Sequence, residues 1–236
     1  FGVNDPNVGA EVPQNTTTTP QPQQQTRSSP LSFVAPTEFV ELPSGGKYYE
    51  EGHPLHGQTV VEIKHMTTRE EDVLTSQALL KQGKALDRFL QQIVLDPRIN
   101  VDTLLVGDKN AILVAARRTG YGSEYLTSME CPSCSSTVKF NFDLGVAKVS
   151  SGTPLDEMDA DVTKTSSGTF LLSKLPVTNW SVELKMLNSG DERKILQAVE
   201  GRRKRGLPED TLSAQLSAFI VSIEGVSHRG DINNAI

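Results

Sequence analysis

Two cysteines three positions apart, Cys131 and Cys134, are the residues of this chain best suited to chemistry. In Cys131-Pro132-Ser133-Cys134, two thiolates on a tight turn can approach one metal ion at about 2.3 Å each. Strand-like segments flank them, Tyr125-Leu126-Thr127 before and Thr137-Val138-Lys139-Phe140-Asn141-Phe142-Asp143-Leu144 after, which is the setting of a zinc knuckle. A structural zinc wants four ligands, and no second CxxC, CxxH or HxxxH exists here. Completion would need histidines from elsewhere or symmetry-related cysteines. The residues read as two free thiols in a β-hairpin, the remnant of a metal site, with zinc as the one cofactor to consider and otherwise none. A thioredoxin-like redox pair fits less well, because that motif opens a helix at its attacking cysteine, whereas a strand follows Cys134.

The remaining polar clusters point away from catalysis. Three of the four histidines, His53, His56 and His65, lie close together, and His53 with His56 could supply metal ligands, but they suit ordinary loop and strand-end positions. Arg202-Arg203-Lys204-Arg205 could meet phosphates. Against nucleic acid stand the net charge of -6, the position at a predicted helix C-terminus where cations meet the macrodipole, and the lack of interleaved aromatics. The expectation is a solvated helix end, with docking on an acidic protein partner as its functional alternative. The acidic pairs Asp156-Glu157 and Asp159-Asp161 sit in a polar segment that would not hold them in catalytic geometry. There is no Walker loop, no GxGxxG after a strand, no HExxH and no GxSxG. An enzyme is not expected.

The elements that position these groups follow from local patterns. Residues 1–36 hold six of the 13 prolines, five glutamines and only Asp5, Glu11 and Arg27 as charges. Such a segment cannot bury enough apolar surface to offset the entropy of ordering it, so it reads as an extended arm that a neighbouring subunit must hold. Phe39-Val40-Glu41-Leu42, a turn at Pro43-Ser44-Gly45-Gly46, extended Lys47-Tyr48-Tyr49, and Thr59-Val60-Val61-Glu62-Ile63-Lys64 read as strand, turn and strand.

Thr67 with Glu70 and Thr68 with Glu71 form overlapping capping boxes. The apolar stripe that follows predicts a helix pair broken at Gly83 and stopped by Asp96-Pro97, then a second start at Asn100 or Asp102. Another helix is expected from Asp108 to Gly120, with Ile112, Leu113 and Ala116 inward. Residues 149–168 read as a linker. Strands over 169–172 and 180–187 follow, then a helix capped by Ser189 and Glu192 with Ile195, Leu196 and Val199 inward, stopped by Gly206 and Pro208. A last helix, or one that becomes a strand, carries Leu212, Leu216, Phe219, Ile220 and Ile223. The fold class is α+β: helical bundle elements with small antiparallel sheets and β-hairpins. Its divisions are an arm over 1–36, a first lobe over 37–148, a linker over 149–168 and a strand-helix lobe over 169–236.

Taken in order, Leu42-Pro43-Ser44-Gly45-Gly46-Lys47-Tyr48-Tyr49, Met66-Thr67-Thr68-Arg69-Glu70-Glu71, Gly107-Asp108-Lys109-Asn110-Ala111-Ile112-Leu113, Gly120-Tyr121-Gly122-Ser123-Glu124-Tyr125 and Cys131-Pro132-Ser133-Cys134 resemble the baseplate hub and hub-assembly proteins of T-even-type contractile-tailed bacteriophages. The resemblance spans residues 39–144. It implies a structural or assembly component of the tail baseplate that acts by protein-protein contacts with other baseplate and tail proteins, without nucleic acid or membrane. It also implies localisation to the virion tail, with assembly in the host cytoplasm. The alternatives are a zinc-knuckle binding module and an assembly chaperone absent from the mature virion.

Overall fold

The computed structural model describes residues 35–158, 161–208 and 210–236, so the arm expected over 1–36 lies outside them but for its last two residues. Within them the chain is α+β, with seven α-helices and three small antiparallel sheets. β1 (Thr37–Glu41) pairs with β2 (Val60–Lys64), Val40 opposite Val61. Period-two alternation turns Val61 and Ile63 into the core. Between the strands, residues 43–48 curl through turns, and Lys47-Tyr48-Tyr49 does not run extended as expected. The curl is closed by Gly46 at φ +71°, where a Cβ would lie 2.4 Å from the Gln58 nitrogen and 2.6 Å from the Leu55 carbonyl oxygen. Only glycine fits there.

The apolar stripe after Met66 becomes α1 (Thr68–Thr75), α2 (Gln77–Lys81) and α3 (Ala85–Ile93). The break falls at Gly83, φ +65°, with a further break at Ser76. Of the two capping boxes, Thr67 with Glu70 forms. α3 lays Phe89, Leu90 and Ile93 against the β1-β2 hairpin, and Val94 bridges to Ile63. Asn100 caps a single 3-10 turn, its side-chain oxygen accepting from the Asp102 N–H at 3.0 Å.

α4 (Val106–Tyr121) opens two residues before the expected Asp108, because that carboxylate is directed to side chains outside the helix. It ends at Gly122, φ +83°, rather than Gly120. Gly120 stays within the helix, and a Cβ there would lie 2.4 Å from the Met66 methyl, so that side chain would have to shift for any larger residue. Ile112 and Ala116 are buried and Leu113 packs on the core edge.

β3 (Glu124–Glu130) and β4 (Thr137–Asp143) form the hairpin that carries the cysteines. A four-stranded antiparallel sheet then follows in the order β5 (Val162–Lys164), β6 (Phe170–Leu172), β7 (Val182–Leu184), β8 (Ile220–Ile223). β5 lies inside the polar segment read as linker, as a three-residue edge strand opposite β6. β7 is shorter than the expected 180–187 strand, since its register slips between Glu183 and Leu184.

α5 (Ser189–Lys204) is capped one residue earlier than expected. Asn188 accepts from the Asp191 N–H at 2.9 Å because the Ser189 hydroxyl and N–H both donate to the Leu104 carbonyl. Ile195 is buried, but Leu196 points outward, 63% exposed, contrary to the inward reading. α5 stops before Gly206 at φ +67°. α6 (Thr211–Phe219) runs directly into β8, and a polar helix that the patterning did not announce, α7 (Arg229–Ala235), sets Ile232 against Val182 and Ile220.

Candidate interaction surface

The β3-β4 hairpin is built outward from the end of α4. The Arg117 guanidinium donates to the Gly122 carbonyl at 3.0 Å and the Glu124 carbonyl at 3.1 Å. It also lies over the Tyr121 and Tyr125 rings, 5.0 and 5.8 Å from their centroids, a cation-π clamp at the hairpin base. The Leu144 N–H donates to the Ser123 carbonyl at 2.8 Å and closes the base.

Above that base the register sorts the side chains cleanly. Because cross-strand partners share a face, Tyr125 with Phe142, Thr127 with Phe140 and Met129 with Val138 form one continuous apolar face. The opposite face carries Glu124 with Asp143, Leu126 with Asn141, Ser128 with Lys139 and Glu130 with Thr137. Phe140 and Phe142 stack, centroids 6.0 Å apart. Every residue of β4, and all of β3 except the half-buried Thr127, is exposed, with Met129 at 61% and Phe142 at 51%. Single exposed apolar residues are ordinary, whereas a contiguous face rimmed by charge marks a contact site. The backbone groups on the outer edges of the pair are a second means of contact, since an incoming strand can pair with them. The strict alternation in Tyr125-Thr127-Met129 and Val138-Phe140-Phe142 was the signal for this face, and attention to the cysteines passes over it.

The cysteines occupy the hairpin tip. Cys131 N–H donates to the Ser136 carbonyl at 2.9 Å, Ser135 N–H donates to the Cys131 carbonyl at 2.8 Å, and Ser135 takes φ +54°. Both thiols are free, Cys134 exposed. Hydrogen bonds from Ser136, foremost, and from the Cys131 thiol hold the Cys134 thiol below its ordinary pKa. Among the described residues no group of three or more His, Cys, Asp and Glu side chains is arranged to hold a metal.

His53 and His56 are engaged elsewhere. His53 Nδ1 accepts from the Leu55 N–H at 3.1 Å, its Nε2 meets the Thr103 hydroxyl at 2.8 Å, and its ring stacks on Tyr49. Burial lowers its pKa and so favours the neutral ring, while the charge of Glu50 acts in the opposite direction. His56 Nδ1 meets the Tyr49 carbonyl at 2.7 Å. Both line a polar cleft of about 980 Å³ with Lys164, Thr165 and Lys185.

Three of the four cations at 202–205 find partners within the chain itself, on α5 or just before α6. Arg202 pairs with Asp210, Lys204 pairs with Glu200 at 2.9 Å, and Arg205 donates to the Gly201 carbonyl at 3.0 Å. Arg203 is exposed and, among the described residues, has no ion-pair partner.

Two motifs of the first lobe are fastenings. Asp108, fully buried, accepts from the Ser44 N–H at 2.9 Å, the Ser44 hydroxyl at 2.6 Å and the Tyr49 hydroxyl at 2.7 Å, and so ties the Pro43-Gly46 turn to α4. Burial, then the hydrogen bond to Asp108, pushes the Tyr49 pKa far up, which keeps its hydroxyl a donor. Glu70, also fully buried, receives Lys64 Nζ at 2.8 Å, the Thr67 N–H at 3.0 Å and the Thr67 hydroxyl at 2.5 Å.

The sequence model of a family described as T4 bacteriophage base plate protein matches residues 35–169, which include β1 through β5 and the whole cysteine hairpin. Neither a curated protein nor a solved structure matches the chain.

Proposed function

Because the chain belongs to the T4 bacteriophage base plate protein family, we propose that it is a structural, non-catalytic subunit of the central hub of the tail baseplate, acting through protein-protein contacts. The observation that carries the proposal is the mainly apolar face of the β3-β4 hairpin, Tyr125, Met129, Val138, Phe140 and Phe142 around Thr127, with its base clamped at Arg117. Seven-residue strands give a face about 23 Å long. Burying five side chains of this size, each already part-covered, contributes on the order of 5 kcal/mol. Association costs of similar size oppose that gain. The hairpin therefore binds durably only where other contacts add to it, as in a multi-subunit baseplate. The arm over 1–36 and the exposed Arg203 supply such contacts in this reading.

The test is the protein composition of isolated tails and mature particles from phage with the wild-type gene or the Met129→Asp/Phe140→Asp pair. The wild-type chain is expected in both preparations, and the double variant, folded by circular dichroism, is expected in neither. Normal incorporation of the variant refutes the role of the face. A wild-type chain found during assembly and missing from mature particles refutes the structural role and makes the protein an assembly factor. No helix among the described residues is long and apolar enough to cross a membrane.

A further inference from the structure

We propose that the hairpin tip is one half of a zinc site that a second copy of this chain completes, two knuckles supplying Cys131 and Cys134 each to a shared tetrahedral ion. The turn is already arranged for it. Residues 131–136 close on themselves through the Cys131-Ser136 and Ser135-Cys131 backbone bonds, and Ser135 adopts the left-handed conformation that lets the chain double back under the second cysteine. The Ser136 hydroxyl sits 3.0 Å from the Cys134 sulfur, where it can donate to a thiolate.

Two thiolates leave a zinc ion half-coordinated, and structural zinc takes four ligands. The chain cannot supply the rest from its own cysteines, because it has two, and no third ligand is arranged beside them among the described residues. Two copies related by a two-fold axis solve the count with one contact, since an isologous pair brings the same two thiols from each side. Pro132, Ser133, Ser135 and Ser136 are small and uncharged, and the tip stands about 23 Å from the hairpin base, so two knuckles can meet without their bodies colliding. On binding, four thiols release four protons to solvent and four Zn–S bonds form, with no change in oxidation state. The apolar face is not consumed by this contact and stays available to a baseplate neighbour.

Zinc titration of the purified full chain, followed by elemental analysis and native mass spectrometry, decides the matter. The expected result is a doubling of mass at one zinc per two chains, reversal by chelator, and loss of both zinc and dimer in Cys131→Ser and Cys134→Ser. Cobalt in place of zinc should show the visible bands of a tetrahedral tetrathiolate. Failure to bind zinc, zinc held by a monomer, or a dimer that persists in chelator or in the serine variants overturns the proposal. The serine variants keep the apolar face, so this outcome is separate from that of the tail-incorporation test.

Discussion

Replacing Glu70 by Gln tests whether the motif at the start of α1 is a fastening, and it has a pH signature. The Glu70 carboxylate is fully buried. Burial alone would raise its pKa, but hydrogen bonds from Lys64 and Thr67 together with the Lys64 charge outweigh that, and the value falls from an ordinary 4.5 to about 2. A carboxylate whose pKa is depressed on folding stabilises the fold above its unfolded value and loses that contribution as pH falls toward the folded one. The full difference corresponds to on the order of 3 kcal/mol at pH 7, declining to about 1.5 kcal/mol at pH 3 and to under about 0.5 kcal/mol at pH 2. Glu70→Gln removes the titration while keeping the shape, and it sets an amide donor against the Lys64 ammonium. Urea unfolding of both proteins at pH 7 and pH 3 should show a stability gap about 2 kcal/mol larger at pH 7. Other carboxylates titrate equally in both proteins and cancel in the difference. A gap of the same size at the two pH values would show that the Lys64-Glu70-Thr67 cluster is not the coupled charge network the geometry describes.

Two further changes probe the neighbouring turn. Tyr49→Phe removes the donor to Asp108 and the acceptor of the Leu105 N–H, and should cost about 3 kcal/mol in urea unfolding. Combined with Asp108→Asn, its effect should be less than additive, because the two residues share one hydrogen bond; additive losses would separate them. Gly46→Ala places a methyl on the Gln58 and Leu55 backbones at a positive φ, and should lower stability by about 3 kcal/mol or more, read as a drop in melting temperature. An unchanged melting temperature would mean that the turn opens freely.

What the sequence made legible was local. The β1 and β2 strand segments, the helical stripe broken at Gly83, the Thr67-Glu70 box and the hairpin around the cysteines were each read from patterns along a short stretch of chain. The misread features depend on distant partners. Asp108 is an ordinary helix-start residue until Ser44, 64 positions earlier, and Tyr49, 59 earlier, bring three donors to it. The cap of α5 moved from Ser189 to Asn188 because Leu104, 85 residues away, takes the serine hydroxyl. α7 has no apolar stripe to announce it, and it is placed by Ile232 and by hydrogen bonds from Arg229 to the Ser217 and Ile220 carbonyls and from Ser217 to Asn233. The interaction face was legible in principle, as period-two alternation in both strands, but alternation cannot say whether an apolar face meets the core or stays open. That is decided by what packs above it, and among the described residues little does.

The joint between the two hydrophobic clusters shows why the hairpin is left free. Beside the edge-on contact of the Tyr48 and Phe170 rings at 5.5 Å, the C-terminal part meets the first cluster through polar bonds: Val106 N–H to the Leu187 carbonyl at 3.0 Å, Lys109 to Glu192, and Arg193 to Asp87 at 2.7 Å and to both oxygens of Asp102 at 2.8 Å. Hydrogen bonds to Asp102, then Asp87, raise the Arg193 pKa further above its usual value, so the charge is fixed. Half-exposed pairs of this kind add little net stability each, but a guanidinium forked between two carboxylates accepts a narrow range of angles. The chain thus sets the orientation of its parts with directional polar contacts rather than a wide apolar seam. The aromatic and long apolar side chains at Tyr125, Met129, Phe140 and Phe142 are not drawn into that joint. In a protein with 6% aromatic residues, leaving three of them on one exposed strand pair is costly for solubility unless another chain covers them.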